Sequence, residues 1–247
     1  MISMGKLINL NDGEFSAYVA EPTNTVRGGL VVIHEIWGLV DHIKDVAERL
    51  AENGYVAVAP DLLTGIGISP EVGEELLRIL NSDSASERSR FQPMLREKLA
   101  PTHSPEFAQW AVSALQRTVD YLAERPEVEN RIGVIGFCFG GSYSFALAAA
   151  DSRIRVAIPF YGSPPELTEV GHIASPVLAF YGDQDERLMS SLPEVSRAMA
   201  EAGVDFTSQV YSGVGHAFFN DTSPQTYDAA SAADAWKRTL EMLDLSM

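Results

Sequence analysis

Apolar and polar positions along the chain follow two alternating patterns. Short, continuously apolar runs are typical of strands that are covered on both faces of a sheet. They alternate with longer segments in which apolar residues recur at helical spacing. The runs predict strands at 29–33, 55–59, 131–137, 156–160 and 177–181, and an alternating pattern predicts another at 205–211. The helical spacing predicts helices at 41–53, 70–80, 106–124, 139–150, 189–202 and 224–245.

The first twenty residues have a different pattern. Two short apolar-rich runs, 7–10 and 15–19, flank Asn11, Asp12 and Gly13. An Asp-Gly pair supplies the positive φ angles of a tight hairpin turn. We therefore predict an N-terminal β-hairpin.

Regular alternation of strands and helices from residue 29 onward, with short links, indicates a mostly parallel sheet with helices on both faces. No repeat and no change of composition marks a linker, so we predict one domain over residues 1–247. The serine-rich stretch 81–90 shows only weak periodicity, and the segment 81–105 is predicted to be a surface excursion or flap.

Composition and charge narrow the function. The chain of 247 residues is 46% apolar and has a formal net charge of −16. Such a charge repels phosphate backbones and anionic membranes, so we expect no nucleic-acid or membrane partner. No apolar stretch has the length of a membrane span, and no secretory signal pattern is present, so the expected compartment is the cytoplasm.

The chain has few residues of the types that commonly bind metals. Cys138 is the single cysteine, which excludes an internal disulfide and a cysteine-based zinc cluster. His42, His103 and His172 lack metal-ligand spacing. We predict no metal and no cofactor, and a small molecule as the partner. The pattern leaves open whether the protein is a monomer or a homodimer.

Cys138 lies between a predicted strand and a predicted helix, in the sequence Gly-Phe-Cys-Phe-Gly-Gly of residues 136–141. A nucleophile on such a tight turn is held exposed, and Gly136 and Gly140 supply the clearance that it needs. A helix N-terminus also favours a thiolate. The alternative is a buried structural cysteine in a packing turn.

A thiol nucleophile needs a base and a group that orients the base. Asp183 and Asp185 both follow the strand 177–181, and His216 follows the next strand within a glycine-rich loop. The order nucleophile, acid, histidine is the one that α/β-hydrolases use. Spacing does not choose between the two aspartates. The alternative for His216 is a core histidine bonded to the backbone.

The loop 34–39 directly follows the first central strand. In α/β-hydrolases this loop supplies one backbone N–H of the oxyanion hole, and the residue after the nucleophile supplies the other. These residues are Ile36 and Phe139 here. Glu35 is unexpected, since an acid beside the nucleophile disfavours the thiolate. The alternative interpretation of Glu35 is a solvated acid on the loop.

Four motifs together carry a family resemblance: His34-Glu35-Ile36-Trp37-Gly38, Gly136-x-Cys138-x-Gly140-Gly141, Gly182-x-x-Asp185 and Gly215-His216-x-Phe218. They resemble the dienelactone hydrolases, or carboxymethylenebutenolidases, over about residues 7–245. The resemblance implies an α/β-hydrolase fold and Cys138 as the nucleophile. It also implies that Asp185 orients His216, and that Glu35 pairs with the resting thiol and takes its proton when substrate enters.

Substrate binding is where this sequence departs from the family. Its characterised members bind a substrate carboxylate with arginines, one of them four residues after the catalytic histidine, where this chain has Asn220. Candidates for the other arginine are Arg78, Arg88, Arg90 and Arg96, of which we assign Arg78. Trp37, Phe218 and Asn220 complete the predicted substrate-binding set.

The sequence therefore predicts hydrolysis of a small lactone or ester by a Cys-His-Asp triad through a thioester. Because an amide does not replace a guanidinium clamp, a neutral substrate is as well supported as an anionic lactone. Two alternatives remain: a general carboxylesterase or thioesterase, and a non-catalytic ligand-binding protein on the same scaffold.

Overall fold

An eight-stranded sheet runs through the protein, which a computed structural model describes over residues 5–247. The strands are β1 (Lys6–Leu10), β2 (Phe15–Ala20), β3 (Gly28–Ile33), β4 (Tyr55–Pro60), β5 (Ile132–Phe137), β6 (Ile154–Phe160), β7 (Val177–Gly182) and β8 (Phe206–Tyr211). Their spatial order is β1-β2-β4-β3-β5-β6-β7-β8. The strands β3 to β8 are parallel, and β2 joins β4 in antiparallel pairing.

Seven α-helices accompany the sheet within these residues: α1 (Asp41–Glu52), α2 (Pro70–Leu80), α3 (Ala85–Leu99), α4 (Pro105–Ala123), α5 (Phe139–Ala150), α6 (Glu186–Glu201) and α7 (Ala229–Ser246). In the sheet, β4 lies on one side of β3 and β5 lies on the other, so the direction of the connections reverses after β4. Because crossovers between parallel strands are right-handed, this reversal places α1 and α4 on opposite faces of the sheet. The predicted fold class, a mostly parallel α/β-hydrolase sheet with an N-terminal hairpin, is confirmed.

The central strands are buried because both faces of the sheet are covered. Every residue of β3, β4, β5 and β7 is buried, which explains why these strands are continuously apolar in the sequence. The hairpin is also present: Leu10 pairs with Phe15, and Asn11, Asp12 and Gly13 have φ angles of 50°, 54° and 90°.

Two helix starts differ by more than one residue from those predicted from the sequence. Helix α6 begins at Glu186 rather than at 189, directly after the capping side chain of Asp185. Helix α7 begins at Ala229 rather than at 224, because the Asp228 side chain accepts a hydrogen bond from the Ser231 N–H at 2.8 Å. Both starts are set by a capping carboxylate, a signal that hydrophobic periodicity does not carry.

The segment 81–105 contains the helix α3, for which no element was predicted. Among the described side chains of this helix, Phe91 alone is buried, at 2% exposure. The apolar periodicity of the segment is therefore weak. The Ser84 side chain accepts from the Glu87 N–H at 3.3 Å, so the Ser-x-x-Glu spacing was an available helix-start signal. Phe91 packs into an apolar cluster with Trp37, which attaches this segment to the loop after β3.

No helix within residues 5–247 combines the length and the apolar character that crossing a membrane requires. The loops that follow β3, β5, β6, β7 and β8 leave the same, carboxyl edge of the parallel sheet, where ligands bind in folds of this kind. The predicted catalytic residues all lie on these loops.

Candidate active site

Cys138 lies on a strained turn between β5 and α5. Its φ and ψ angles are 55° and −110°, a backbone conformation that side-chain-bearing residues rarely adopt. Its N–H donates to the Phe160 carbonyl at 3.0 Å. The turn therefore presents a partly exposed sulfur at the N-terminus of α5 and holds it there by the neighbouring strand.

Two glycines make this turn possible. A Cβ atom on Gly136 would lie 2.1 Å from the Gly140 carbonyl oxygen, and one on Gly140 would lie 2.1 Å from the Ile33 carbonyl oxygen. Both obstacles are backbone atoms, which cannot move aside as a flexible side chain can. The glycines are therefore required for close packing of helix α5 against the sheet.

Gly140→Ala is expected to destabilise the protein by at least ~1–3 kcal/mol, because the added methyl group overlaps the Ile33 carbonyl. Urea unfolding checks this value. Gly171→Ala is the matched control, since a Cβ atom there meets nothing within 4 Å. Equal stability of the two variants would contradict the steric explanation.

His216 and Asp185 come together from the loops after β8 and β7. The Nδ1 atom of His216 lies 2.6 Å from Oδ2 of Asp185. Asp183 has a different role: its carboxylate accepts from the Gly213 N–H and from the Ser212 hydroxyl, both at 2.8 Å. Of the two aspartates that the sequence left open, Asp185 contacts the imidazole and Asp183 ties the histidine loop to the end of β7.

The surroundings of His216 favour its charged form. Burial lowers the pKa of His216, but hydrogen bonds to Asp185 and Cys138, and the negative charges of both, raise it from 6.5 to about 10. In return, the hydrogen bond with His216 lowers the pKa of the Asp185 carboxyl, against the opposing effect of its burial. The site is therefore suited to an imidazolium between a carboxylate and a sulfur.

The backbone N–H groups of Ile36 and Phe139 have no acceptor among residues 5–247. The two loops that carry them are joined, since the Gly140 N–H donates to the His34 carbonyl at 3.0 Å. Two free donors on loops joined in this way are the arrangement that an oxyanion hole requires.

His34 is a residue whose role the sequence analysis missed. It is fully buried, and burial lowers its pKa, so the ring is neutral. Its Nε2 accepts from the Leu62 N–H at 3.1 Å, and Nδ1 then donates to the Glu35 carbonyl 2.7 Å away. The ring also stacks on that of Phe139. His34 therefore braces both loops that supply the free N–H groups.

Glu35 is not a solvated loop acid, since it is only 1% exposed. One carboxylate oxygen accepts from the Asn220 amide at 2.6 Å, and the other accepts from the Tyr161 hydroxyl at 3.3 Å. Both oxygens are thus engaged by neutral donors. The sequence analysis did not single out Tyr161. Its position directly after the buried strand β6 was the signal that could have marked it as a site residue.

The predicted substrate-binding set needs correction. Asn220 is buried, and its own oxygen accepts from the backbone and hydroxyl of Thr222 at 3.0 and 2.6 Å, so its polar atoms are already engaged. Phe218 is fully buried against Tyr161 and Tyr211. Neither side chain is available to a substrate in this structure.

The arginines predicted to bind a substrate carboxylate have local partners or are exposed, as far as the structure describes them. Arg78 is exposed on α2 and forms a two-pronged ion pair with Glu75 at 2.7 and 2.9 Å. Arg88 donates to the Ser82 carbonyl, Arg96 is exposed on α3, and the side chain of Arg90 lies outside the described part of the structure.

Trp37 is buried to 7% exposure in the apolar cluster between α2, α3 and α4. Partly exposed Ile36, Phe139 and Tyr143 pack against the same cluster. The wall beside the two free N–H groups is therefore apolar and aromatic. Trp37 supports this wall from behind, and direct contact between Trp37 and a substrate stays a prediction.

Within residues 5–247, no group of three or more His, Cys, Asp or Glu side chains is arranged to hold a metal ion. The residues of the site itself bring together a thiol sulfur, an imidazole, two carboxylates and free backbone donors.

Comparison with known proteins gives a consistent result. The sequence model of the "Dienelactone hydrolase family" matches residues 15–246. A "Putative carboxymethylenebutenolidase" of Saccharolobus solfataricus is 31% identical over 262 residues, covering 94% of this chain and 95% of the relative. "Protein usf" of Aquifex pyrophilus is 29% identical over 247 residues, covering 96% of each chain.

Among solved structures, a "Putative Dienelactone Hydrolase" from Klebsiella pneumoniae subsp. pneumoniae superposes with a TM-score of 0.80 at 26% sequence identity. The superposition covers 97% of this chain and 98% of that one. Fold, whole-length sequence similarity and family match agree. The chain therefore belongs to the dienelactone hydrolase family, a family of ester-bond hydrolases with the α/β-hydrolase fold.

Proposed function

We propose that the protein hydrolyses a small, uncharged ester or lactone through a thioester formed on Cys138. His216 manages the protons, Asp185 orients His216, and the N–H groups of Ile36 and Phe139 bind the oxyanion. The observation that carries this proposal is the 2.6 Å contact between His216 Nδ1 and Asp185, which leaves Nε2 of the ring for the sulfur.

In the first half-reaction the Cys138 thiolate attacks the carbonyl carbon, and the carbonyl π electrons move to the oxygen as it enters the oxyanion hole. The tetrahedral intermediate then collapses. Its C–O bond breaks, the leaving alkoxide takes the Nε2 proton of His216, and a thioester remains on Cys138. An imidazolium that keeps its proton up to a pKa of about 10 is suited to this acid step.

In the second half-reaction His216 is neutral and acts as the base. It removes a proton from water, whose oxygen attacks the thioester carbonyl. The second tetrahedral intermediate expels the thiolate, and the carboxylic acid product ionises and leaves. The thiolate and the imidazolium are thereby restored. Asp185 stabilises the imidazolium whenever it forms, because the charge-assisted hydrogen bond is strongest when the ring is charged.

The charges around the site favour an uncharged substrate. Glu35 is a buried acid behind the nucleophile, Arg78 is paired with Glu75 on the surface, and Asn220 is committed to Glu35. The wall beside the oxyanion hole is apolar. A substrate carboxylate would be repelled by Glu35 and by the net charge of −16 without compensation from these groups.

A neutral lactone is therefore expected to have a kcat/KM at least about 10-fold above that of the same lactone bearing a carboxylate, which corresponds to ~1.4 kcal/mol. The measurement compares both compounds at two salt concentrations, since screening by salt raises only the rate of the anion. The control is Arg187→Gln: Arg187 donates to the Ser163 hydroxyl at 2.7 Å and makes no ion pair within residues 5–247. If the unaltered enzyme prefers the anionic lactone and Arg187→Gln loses that preference, the proposal is contradicted.

The same site is compatible with thioester substrates, because the oxyanion hole and the triad act on the carbonyl group alike. Acyl thioesters belong in the same substrate panel. A protein that alkylates at Cys138 but turns over none of the esters, lactones or thioesters would be a binding protein on this scaffold, and the proposed function would be wrong.

A further inference from the structure

Tyr161 is a fully buried, side-chain-bearing residue with a φ angle of 38°. A bulky residue in that region is a true outlier, and such a conformation persists where the surrounding structure enforces it. A contact with the neighbouring strand β7 holds it, since the Tyr161 N–H donates to the Phe180 carbonyl at 2.7 Å. The preceding residue, Phe160, accepts the N–H of Cys138 at 3.0 Å. The position of Tyr161 is thus tied to that of the nucleophile.

The side chain of Tyr161 contacts two groups of the site. Its hydroxyl donates to Glu35 at 3.3 Å, and its ring lies against that of His216 with centroids 5.0 Å apart. Burial, and the negative charges of Glu35 and Cys138, raise the pKa of Tyr161 well above 10. The hydroxyl therefore keeps its proton and acts as a donor between two acidic groups.

Glu35 has two donors, and each takes one oxygen. Asn220 binds Oε2 at 2.6 Å and Tyr161 binds Oε1 at 3.3 Å. The carboxylate is held from two sides by groups that stay neutral. Among residues 5–247 this carboxylate forms no hydrogen bond with the sulfur, although it lies close enough for its charge to act on Tyr161.

We propose that Tyr161 is a positioning residue for the hydrolase reaction: its hydroxyl holds the Glu35 carboxylate away from the Cys138 sulfur, so that His216 alone exchanges the thiol proton. This inference rests on the proposed triad and specifies which base serves it. In this arrangement the thiol is activated in the resting enzyme, without movement of Glu35 when substrate enters.

The titratable groups that face this position come from four loops. Glu35 follows β3, Tyr161 follows β6, Asp185 follows β7 and His216 follows β8. The charge of Arg187 acts on Asp185. A pH profile of Cys138 therefore reports on Glu35 and His216 together, and a variant pair is needed to separate them.

The test measures the rate of Cys138 alkylation by iodoacetamide against pH, which needs no turnover and is specific because the chain has one cysteine. In Tyr161→Phe the ring stays, and Glu35 is released on one side. The freed oxygen can then accept from the thiol and stabilise its protonated form. We expect the alkylation midpoint to rise by about one pH unit, and kcat/KM near neutral pH to fall about 10-fold.

Glu35→Gln provides the second arm. In the Glu35→Gln background, Tyr161→Phe is expected to leave the midpoint unchanged, because the effect of Tyr161 is transmitted through the carboxylate. Glu35→Gln alone is expected to lower the midpoint by less than about half a unit, since the held carboxylate is not the thiol's partner. Tyr181→Phe is the matched control: Tyr181 is buried at the end of β7, and its midpoint should equal that of the unaltered protein.

Each result has a defined meaning. An unchanged midpoint in Tyr161→Phe, or a shift that persists in the Glu35→Gln background, overturns the positioning role while the triad stands. If thermal melting shows that Tyr161→Phe does not fold, Glu35→Gln alone decides, and a fall in its midpoint of more than about half a unit overturns the role. Failure of the triad itself is detected separately, as full activity of a variant without the Cys138 sulfur.

Discussion

Cys138→Ala is expected to lower kcat/KM for p-nitrophenyl acetate by about 10³- to 10⁶-fold, because no other group in the site can form the acyl intermediate. The residual rate would come from the free N–H groups and from binding alone. Protein mass spectrometry of the unaltered enzyme, quenched during turnover, should reveal one acetyl group, and the variant should carry none.

Because the chain has a single cysteine, a thiol reagent tests this prediction at one known site. Iodoacetamide should label one site, and labelling and loss of activity should follow the same time course. Cys138→Ser is the conservative control: it keeps the turn and the hydrogen-bonding position, and it should fold with unchanged stability while activity stays low. Retention of normal turnover by Cys138→Ala would show that the sulfur is not the nucleophile, and the thioester mechanism would be abandoned.

Asp185→Asn has the second largest expected effect, a fall in kcat/KM of about 10²- to 10⁴-fold. An amide at this position is not anionic and can present its NH₂ group to Nδ1, which selects the wrong tautomer of His216. Asp183→Asn is the matched control on the same loop, because Asp183 holds Gly213 and Ser212 rather than the imidazole. Its loss should be below about 10-fold.

The pH dependence of Asp185→Asn has a definite sign. Asp185 raises the pKa of His216 towards about 10, and the imidazolium is the acid that protonates the leaving group. The kcat/KM of the unaltered enzyme should therefore fall on the alkaline side near pH 10. In Asp185→Asn the pKa of His216 moves down towards its ordinary value, so this alkaline limb should move to lower pH. An unmoved limb would mean that His216 is not the group that titrates there.

The sequence identifies Cys138, Asp183 and Asp185 as candidates because each follows a strongly apolar run, where a turn is expected. It identifies His216 by the glycine-rich loop that follows the alternating strand. The strand–turn–helix pattern around Cys138 is local, and its glycines are visible in the sequence. Such a pattern predicts backbone course well, because it depends on neighbours within a few residues.

The contacts of Glu35 were not predictable in this way. Glu35 and Asn220 are 185 positions apart in the chain, and Tyr161 is 126 positions from Glu35. The spacing of Asn220 from His216 predicts a role in substrate binding. The structure directs the amide inward instead, because the buried carboxylate needs donors and Asn220 is near enough to supply one.

Arg78 shows the same limitation on the surface. Its helix was predicted within its observed bounds, 70–80, yet helix bounds do not say which way one side chain points. A carboxylate three positions earlier, Glu75, provides a partner on the same helical face. In this structure the guanidinium of Arg78 is paired with that carboxylate.

The sequence by itself determined the succession of strands and helices apart from α3, the class of the fold, the glycine-flanked turn at Cys138 and the order of the candidate catalytic residues. Hydrophobic periodicity and turn chemistry are local, so these features could be derived from short stretches of chain. Only the tertiary structure decided which aspartate meets His216, what holds Glu35, and which polar residues are closed to substrate. Those outcomes depend on distances between segments far apart in the chain, and on the strong tendency of buried polar atoms to be paired there.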